Sequence, residues 1–484
     1  MPLILCGLNV TKPDSDSVTW TFRAIIQTCI TRATFASLIL ETRRPRMHDS
    51  TTLGALPRTD STARLNPESV LCEFGYTPTD AAQAGSVGEC ARLGTYSLHL
   101  ASPKLKSWFQ TMFSRGSAAA PARSREPSLG EVLLMLAMMF GVHLWATCRV
   151  GGFWERAAAW FDNSCYLEIA TVIRTWHSPS PDISQHFWGF PFVITLVSKL
   201  FFIQPLTALV LLSALASVGA CILVHRLYGG WVAAVFIFIN FEWIQLAVNG
   251  GSEPLFMCLV YGAFLAARSD RWNLAALLAA LATTVRPVGI FALFCFAVVL
   301  SKKRSYKRLV VITTIGLAIG ALYITPVWIL MGTPLVSFHG YRQCWGAYNY
   351  PLTYPLGGWM SSFLAGLHGD TRWYSLTFDA VWPVLAIAGI VAIWLPRNRQ
   401  RFSGIQAEAL FATLYTLFFL CYTDGVLAAS FTRFLIPVLP LLLYALSDWI
   451  PRDRRLLWAG AFVSALLSAA GLVHFQNVFG FSLP

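Results

Sequence analysis

From Ser128 onward the chain is a succession of apolar stretches, several of them close to the ~20 residues that cross a hydrocarbon core as a helix. That leaves few folds. Lipid offers no partner to a backbone N–H or C=O, so runs of this length must satisfy their own backbones as helices. The charge content agrees. Only 12% of residues are charged and 56% are hydrophobic, whereas a soluble domain carries about 25% charged residues. So little charge cannot cover a soluble surface. The fold class expected is all-α, a polytopic membrane protein.

Lys and Arg number 36 against 24 Asp and Glu, a formal net charge of +12. In a membrane protein this excess belongs to cytoplasmic loops. No basic stripe interleaved with aromatics is present, so nucleic acid is not an expected partner. The 11 cysteines form no CxxC pair and no Cys/His cluster at zinc spacing, so they offer no metal site; no cofactor is expected. Residues 1–127 contain no spanning run and no signal peptide, and Ser, Thr, Pro and Arg lie there without periodicity. They read either as a poorly ordered cytoplasmic extension or as an over-extended gene model with translation starting later, as at Met112. Residues 128–484 read as the transmembrane domain.

The first span is expected over Leu129–Thr147, opened by the capping box Ser128–Glu131. Arg115, Arg123 and Arg125 precede it and place the N-terminus in the cytoplasm. Phe190–Ile203 is too short to span and carries Lys199, so it reads as an interfacial helix on an external loop. Further spans follow over Leu206–Val224, Trp231–Val248 and Pro254–Ala267. Trp272–Leu300 is broken at Arg286–Pro287 into two short helices. The last spans are Leu309–Leu330, Phe378–Leu395, Ile405–Cys421, Phe434–Leu446 and Leu456–His474. That makes about eleven, with the basic clusters, Lys302 to Arg308 above all, on one side. Two large aromatic-rich loops, 149–204 and 331–377, face outside and argue for a site at the outer surface.

The candidate residues lie on that side. Asp162, just past the first span, can accept a proton from an attacking hydroxyl; its alternative role is a helix N-cap. Ser252 fits an N-cap, and Glu253 suits the first turn of a helix. Arg286 lies in an apolar hairpin, where a cation needs a partner or a function; Glu253 or a phosphate would serve. Arg433 sits at the outer end of a span and invites a phosphate, or else snorkels to headgroups. His339, Tyr341, Arg342, Gln343 and Trp345 form a polar-aromatic cluster, although Trp345, Tyr348 and Tyr350 also suit interface anchoring. His177 and His186 lie in the first loop. Cys165 and Cys344 share the outer side, so a disulfide is open to them.

In order, Trp160-Phe161-Asp162, Tyr166-Leu167-Glu168-Ile169-Ala170, Phe190-Pro191-Phe192, Ser252-Glu253-Pro254-Leu255-Phe256, Thr284-Val285-Arg286-Pro287-Val288-Gly289, Tyr341-Arg342-Gln343-Cys344-Trp345 and Thr432-Arg433-Phe434-Leu435-Ile436-Pro437 resemble the C-type (GT-C) membrane glycosyltransferases. Within these, the PIG-V-like mannosyltransferases are most similar. The resemblance implies a GT-C-like fold and a hexosyltransferase, mannosyltransferase-like, that moves sugar from a polyprenyl- or dolichyl-phosphate donor to a lipid or glycan hydroxyl. The reaction would take place on the external or lumenal face of a bacterial inner membrane or ER membrane. It implies Asp162 as base, Arg433, Arg286 and Arg342 as donor-phosphate ligands, and Glu253, Trp160, Gln343, Trp345 and His186 against the substrates. Phe161 and Pro254 depart from the family pattern in ways that bear on the acceptor. A transporter or flippase of lipid-linked sugars accounts equally for Arg286 but calls for repeats or charge within several spans; a non-catalytic scaffold is the third reading.

Overall fold

A computed structural model describes residues 125–150, 152–160, 162–176, 186–334, 354–357, 381–421 and 431–479. All belong to one compact unit, Ser114–Pro484. Among the described residues every regular element is helical, as the apolar runs require.

The first span is α1, Leu129–Val150. Ser128 Oγ accepts the Glu131 N–H at 3.2 Å, and the Glu131 carboxylate pairs with Arg454 at 3.4 Å. Two short helices follow, α2 (Phe153–Ala158) and α3 (Asn163–Thr175). α4, Gly189–Phe201, has 13 residues and covers the expected short helix Phe190–Ile203 to within two residues. It buries Phe190, Ile194 and Ser198 and leaves Leu196, Leu200 and Lys199 exposed. Pro205 opens α5, Pro205–Tyr228, where its missing N–H costs nothing.

The expected span Trp231–Val248 is instead two helices, α6 (Gly230–Ile239) and α7 (Phe241–Asn249), bent by 79°. The cause is Asn240. Its backbone is extended and its side chain accepts the Glu242 N–H, so it ends one helix and caps the next. α8 is Glu253–Arg268 and α9 is Trp272–Val285. The expected break at Arg286–Pro287 is present: Arg286 is extended, as a residue before proline prefers, and a 3-10 turn, Pro287–Gly289, leads into α10, Ile290–Lys302.

α11 runs over Tyr306–Met331 and α12 over Val381–Trp394. After α13 (Arg399–Ser403) the chain turns by 119° into α14, Gln406–Leu420. The expected span Phe434–Leu446 is also broken, into α15 (Phe431–Leu435) and α16 (Leu439–Ala445). Pro437 lies four residues after Arg433 and has no N–H to continue the helix. The last helix is α17, Arg454–Phe479.

By length and composition three described helices, α1, α5 and α11, can each cross a membrane, or five spans if each bent pair is one. Of the remaining expected spans, α9, the Pro287–Lys302 stretch and α12 are apolar but shorter, as is α4. The helices that line the core are α5, α8 and α9, with α1 packed on α17 and α14 on α10. Phe236, Trp243, Phe256, Phe264, Phe296 and Phe411 fill it and are fully buried.

One ion pair ties α8 to α14. Arg268 Nε donates to Glu408 Oε1 at 2.8 Å, and its Nη1 donates to the Leu227 carbonyl at 3.0 Å. The Glu408 side chain is 5% exposed. Removing one partner of a buried pair costs about 3–5 kcal/mol because the other charge stays behind. Glu408→Ala is therefore expected to lower the melting temperature of the detergent-solubilised protein by several degrees, read by a thermal-shift assay. An unchanged melting temperature would show that the pair does not hold the two helices.

Candidate active site

Four charged side chains far apart in sequence meet at helix ends and in one short helix. Asp162 comes from the turn between α2 and α3, Glu253 from the first residue of α8, Arg286 from the break after α9, and Arg433 from α15. Asp162, Glu253 and Arg286 lie where a helix stops or starts, and Arg433 is the middle residue of a helix of five.

Arg433 is the centre of the cluster. Its Nη2 donates to Asp162 Oδ2 at 2.7 Å, and its Nε donates to Glu253 Oε1. Arg286 Nη2 donates to the same Glu253 Oε1 at 2.6 Å, and its Nε donates to Ser252 Oγ at 3.2 Å. Two guanidinium groups thus converge on one carboxylate oxygen, while Glu253 Oε2 is buried with no hydrogen-bond partner among the described residues. Side-chain exposure rises from 0% at Glu253 through 5% at Arg433 and 11% at Arg286 to 23% at Asp162. The cluster is therefore reached from the Asp162 side. Two acids balance two bases, which is how a protein keeps charges this deep.

Aromatic and hydroxyl groups frame the charges. Tyr166 OH lies 3.1 Å from Ser252 Oγ and 3.5 Å from Asp162 Oδ2. The Tyr166 ring meets His186 and Phe190 edge-on, at 5.8 and 5.2 Å between centroids. Arg286 lies 5.8 Å over the Phe434 ring, which stacks on Phe419 at 4.8 Å. A guanidinium over a ring face gains a cation–π attraction.

Electrostatics set the protonation states. Burial alone would raise the Asp162 pKa, but Arg433, His186 and Arg286 outweigh it and hold the carboxyl at about 2. Burial pushes the His186 imidazole below its ordinary value, against the pull of Asp162. Burial also raises the Tyr166 phenol, so it stays protonated.

The sequence expectations divide accordingly. Asp162 precedes α3 but its side chain makes no cap hydrogen bond; it is committed to Arg433. Ser252 occupies the N-cap position of α8, yet its hydroxyl serves Tyr166 and Arg286 rather than the helix. The Arg286–Glu253 pair is present as expected. Arg433 is met by two carboxylates, where the sequence pointed to a phosphate or to headgroups. Trp160 is half-buried, and its carbonyl closes the turn by accepting the Asn163 N–H at 3.0 Å. Cys165 is half-buried beside the cluster. Arg342, Gln343, Trp345 and Cys344 lie outside the described residues, as do His177, His339, Tyr341, Tyr348 and Tyr350.

The residues that hold the acids in place were not singled out from the sequence. Asn163 is fully buried, and its Nδ2 donates to the carbonyls of Ala157 at 2.7 Å and Asn249 at 3.0 Å. It thereby fastens the Asp162 turn to the segment that leads into Glu253. Asn249 in turn lies 3.4 Å from His143 Nε2, and His143 Nδ1 lies 2.9 Å from Ser468 Oγ. A polar residue directly after Asp162 was the available signal, but it is shared by most turns. Among the described residues no group of His, Cys, Asp and Glu is arranged to hold a metal ion.

No protein-family model matches the chain. No curated protein matches it either. Two solved structures are similar to it, both of ArnT from Cupriavidus metallidurans. The one bound to undecaprenyl phosphate has 17% sequence identity and a TM-score of 0.43, over 72% of this chain and 66% of that one. The apo state has 16% identity and a TM-score of 0.38, over 72% and 65%. This chain thus spans just under two thirds of the length of the proteins it is similar to.

Proposed function

We propose that the protein is a GT-C-like membrane glycosyltransferase, mannosyltransferase-like, that transfers a sugar from a polyprenyl- or dolichyl-phosphate donor to a lipid or glycan hydroxyl. The observation that carries this reading is the Asp162–Arg433–Glu253–Arg286 cluster: a partly exposed carboxylate joined to two buried guanidinium groups. Two cations and a carboxylate of this kind suit a lipid-phosphate leaving group. The acceptor oxygen attacks the anomeric carbon and the bond from that carbon to the phosphate oxygen breaks. The bonding electrons leave with the phosphate, and the acceptor proton passes to Asp162. Arg433 and Arg286 stabilise the charge that develops on the departing phosphate, typically the largest catalytic term. His186, Trp160, Gln343 and Trp345 would contact the substrates, and Arg342 is a further candidate ligand for the donor phosphate. The site would face the external or lumenal side, with the N-terminus cytoplasmic.

A carboxylate held at about 2 is a weak base. The geometry offers a remedy, because the guanidinium that depresses Asp162 is also the group a phosphate would take. As the donor draws Arg433 away, burial pushes the Asp162 pKa back up, and the base strengthens only once the substrate is in place. The acid limb of kcat/KM reports the free enzyme and that of kcat the complex. Protonated Asp162 cannot accept a proton, so both fall on acidification. The limb of kcat is expected at distinctly higher pH than that of kcat/KM. Coincident limbs would mean that Arg433 never leaves Asp162.

The direct test is transfer of label from polyprenyl-phosphate mannose by the purified protein in lipid vesicles, with total membrane lipid as acceptor. Polyprenyl-phosphate glucose and arabinose serve as further donors. Labelled product establishes a glycosyltransferase. Passage of intact donor across the bilayer, with no product from any of the three, would identify a flippase instead.

A further inference from the structure

Asn240 lies in the middle of an apolar stretch, fully buried, and uses both ends of its carboxamide. Oδ1 accepts the Glu242 N–H at 3.0 Å and caps α7. Nδ2 donates to the Thr432 carbonyl at 3.0 Å, 192 residues away and one residue before Arg433.

The donor lands where the sequence interrupts the helix ladder. Pro437 has no N–H, so the Arg433 carbonyl cannot take its usual partner four residues on. It takes the N–H of Ile436 instead, at 3.3 Å. The ladder of α15 shifts by one, and the Thr432 carbonyl is met from outside by Asn240. Five residues make too short a helix to hold its own direction. Its anchors include this hydrogen bond, the ion pairs of Arg433 and the stacking of Phe434 on Phe419.

We infer that Asn240 is a positioning residue for Arg433: it fixes the short helix that aims the guanidinium between Asp162 and the donor phosphate. The inference rests on the glycosyltransferase reading for its functional meaning, but the contact itself stands without that reading. The bend between α6 and α7 then has a use, since it turns Asn240 toward α15.

The test uses Asn240→Asp and Asn240→Ser in the full-length protein in lipid vesicles. Asp and Ser are both good N-cap acceptors, so each keeps the α7 cap; ionised Asp has no donor for Thr432, and the Ser hydroxyl lies one bond closer to the backbone than Nδ2, short of the Thr432 carbonyl. A misplacement of about 1 Å can cost about 100-fold in rate. The expected result is a rise of about 10-fold or more in KM for polyprenyl-phosphate mannose, with kcat reduced and KM for the lipid acceptor unchanged. In an Arg433→Lys background the same substitutions should cost little further, because the group they position is already gone. Wild-type kinetics in both variants would overturn the inference. So would losses fully additive to those of Arg433→Lys, which would mark a general structural role. A wild-type protein that transfers from none of the three donors would sink the glycosyltransferase reading. Hydrogen exchange across 431–436 then decides the contact on its own: faster exchange in Asn240→Ser supports it, and unchanged exchange removes it.

Discussion

Asp162→Asn is expected to abolish sugar transfer while leaving the protein folded and in the membrane. The substitution is isosteric. Asn keeps a carbonyl oxygen that accepts from Arg433 Nη2 where Asp162 Oδ2 now does, at 2.7 Å. Arg433 retains its second carboxylate in Glu253, so no buried cation is stranded. What is lost is the capacity to accept a proton. General-base catalysis contributes about 10²- to 10⁴-fold, and the loss should fall in that range. Vesicles containing wild type or Asp162→Asn at equal protein content, given the same labelled donor, decide the matter. Full activity in the variant would remove Asp162 from the base role and leave the cluster as a structural latch. Loss of the protein from the membrane fraction would mark a folding defect, and Asp162→Ser, smaller and uncharged, then tests loss of the base in a second variant that must itself be recovered from the membrane.

Much of this architecture was legible in the sequence because it depends on local chemistry. A run of apolar residues must be helical in lipid, so α1, α5, α8, α11 and α17 lie within a few residues of the expected ranges. The break at Arg286–Pro287 followed from the proline. The breaks at Asn240 and around Pro437 were read as continuous spans. A lone Asn within an apolar run looks the same whether it caps a new helix or faces a partner. Its hydrogen bond to Thr432 is a tertiary fact that periodicity does not encode. The site was legible one residue at a time. Arg286 and Arg433 stood out as charges in the wrong surroundings, whereas Asp162 and Glu253 also suited a helix start, and the Arg286–Glu253 pair could be named. The Arg433–Asp162 pair joins residues 271 apart in sequence, and the diversion of Ser252 from its cap depends on Tyr166 lying beside it. Those contacts belong to packing, not to spacing.

Glu253→Gln is expected to bind bare polyprenyl phosphate more tightly than wild type while turning over more slowly. Glu253 stands where an anion is needed. Both guanidinium groups converge on its Oε1, and the carboxylate is wholly buried. It occupies the role a phosphate oxygen would take, and an incoming phosphate must compete with it. Gln keeps the accepting oxygen but removes the charge, which takes the cluster from balance to one net positive charge. With an effective dielectric of about 20, a unit charge acting at about 8 Å is worth about 2 kcal/mol, so a gain of about 10-fold or more in phosphate affinity is in reach. Slower release of the phosphate product then lowers kcat. The resting protein should lose stability, since stranding a buried charge costs about 3–5 kcal/mol. Saturating polyprenyl phosphate should restore the melting temperature, because the ligand resupplies the missing anion and binds only the folded state. Thermal shifts of wild type and Glu253→Gln, with and without polyprenyl phosphate, read both effects together. Weaker binding in the variant, with no recovery of the melting temperature, would mean that Glu253 contacts the acceptor directly and does not hold the cations for the donor.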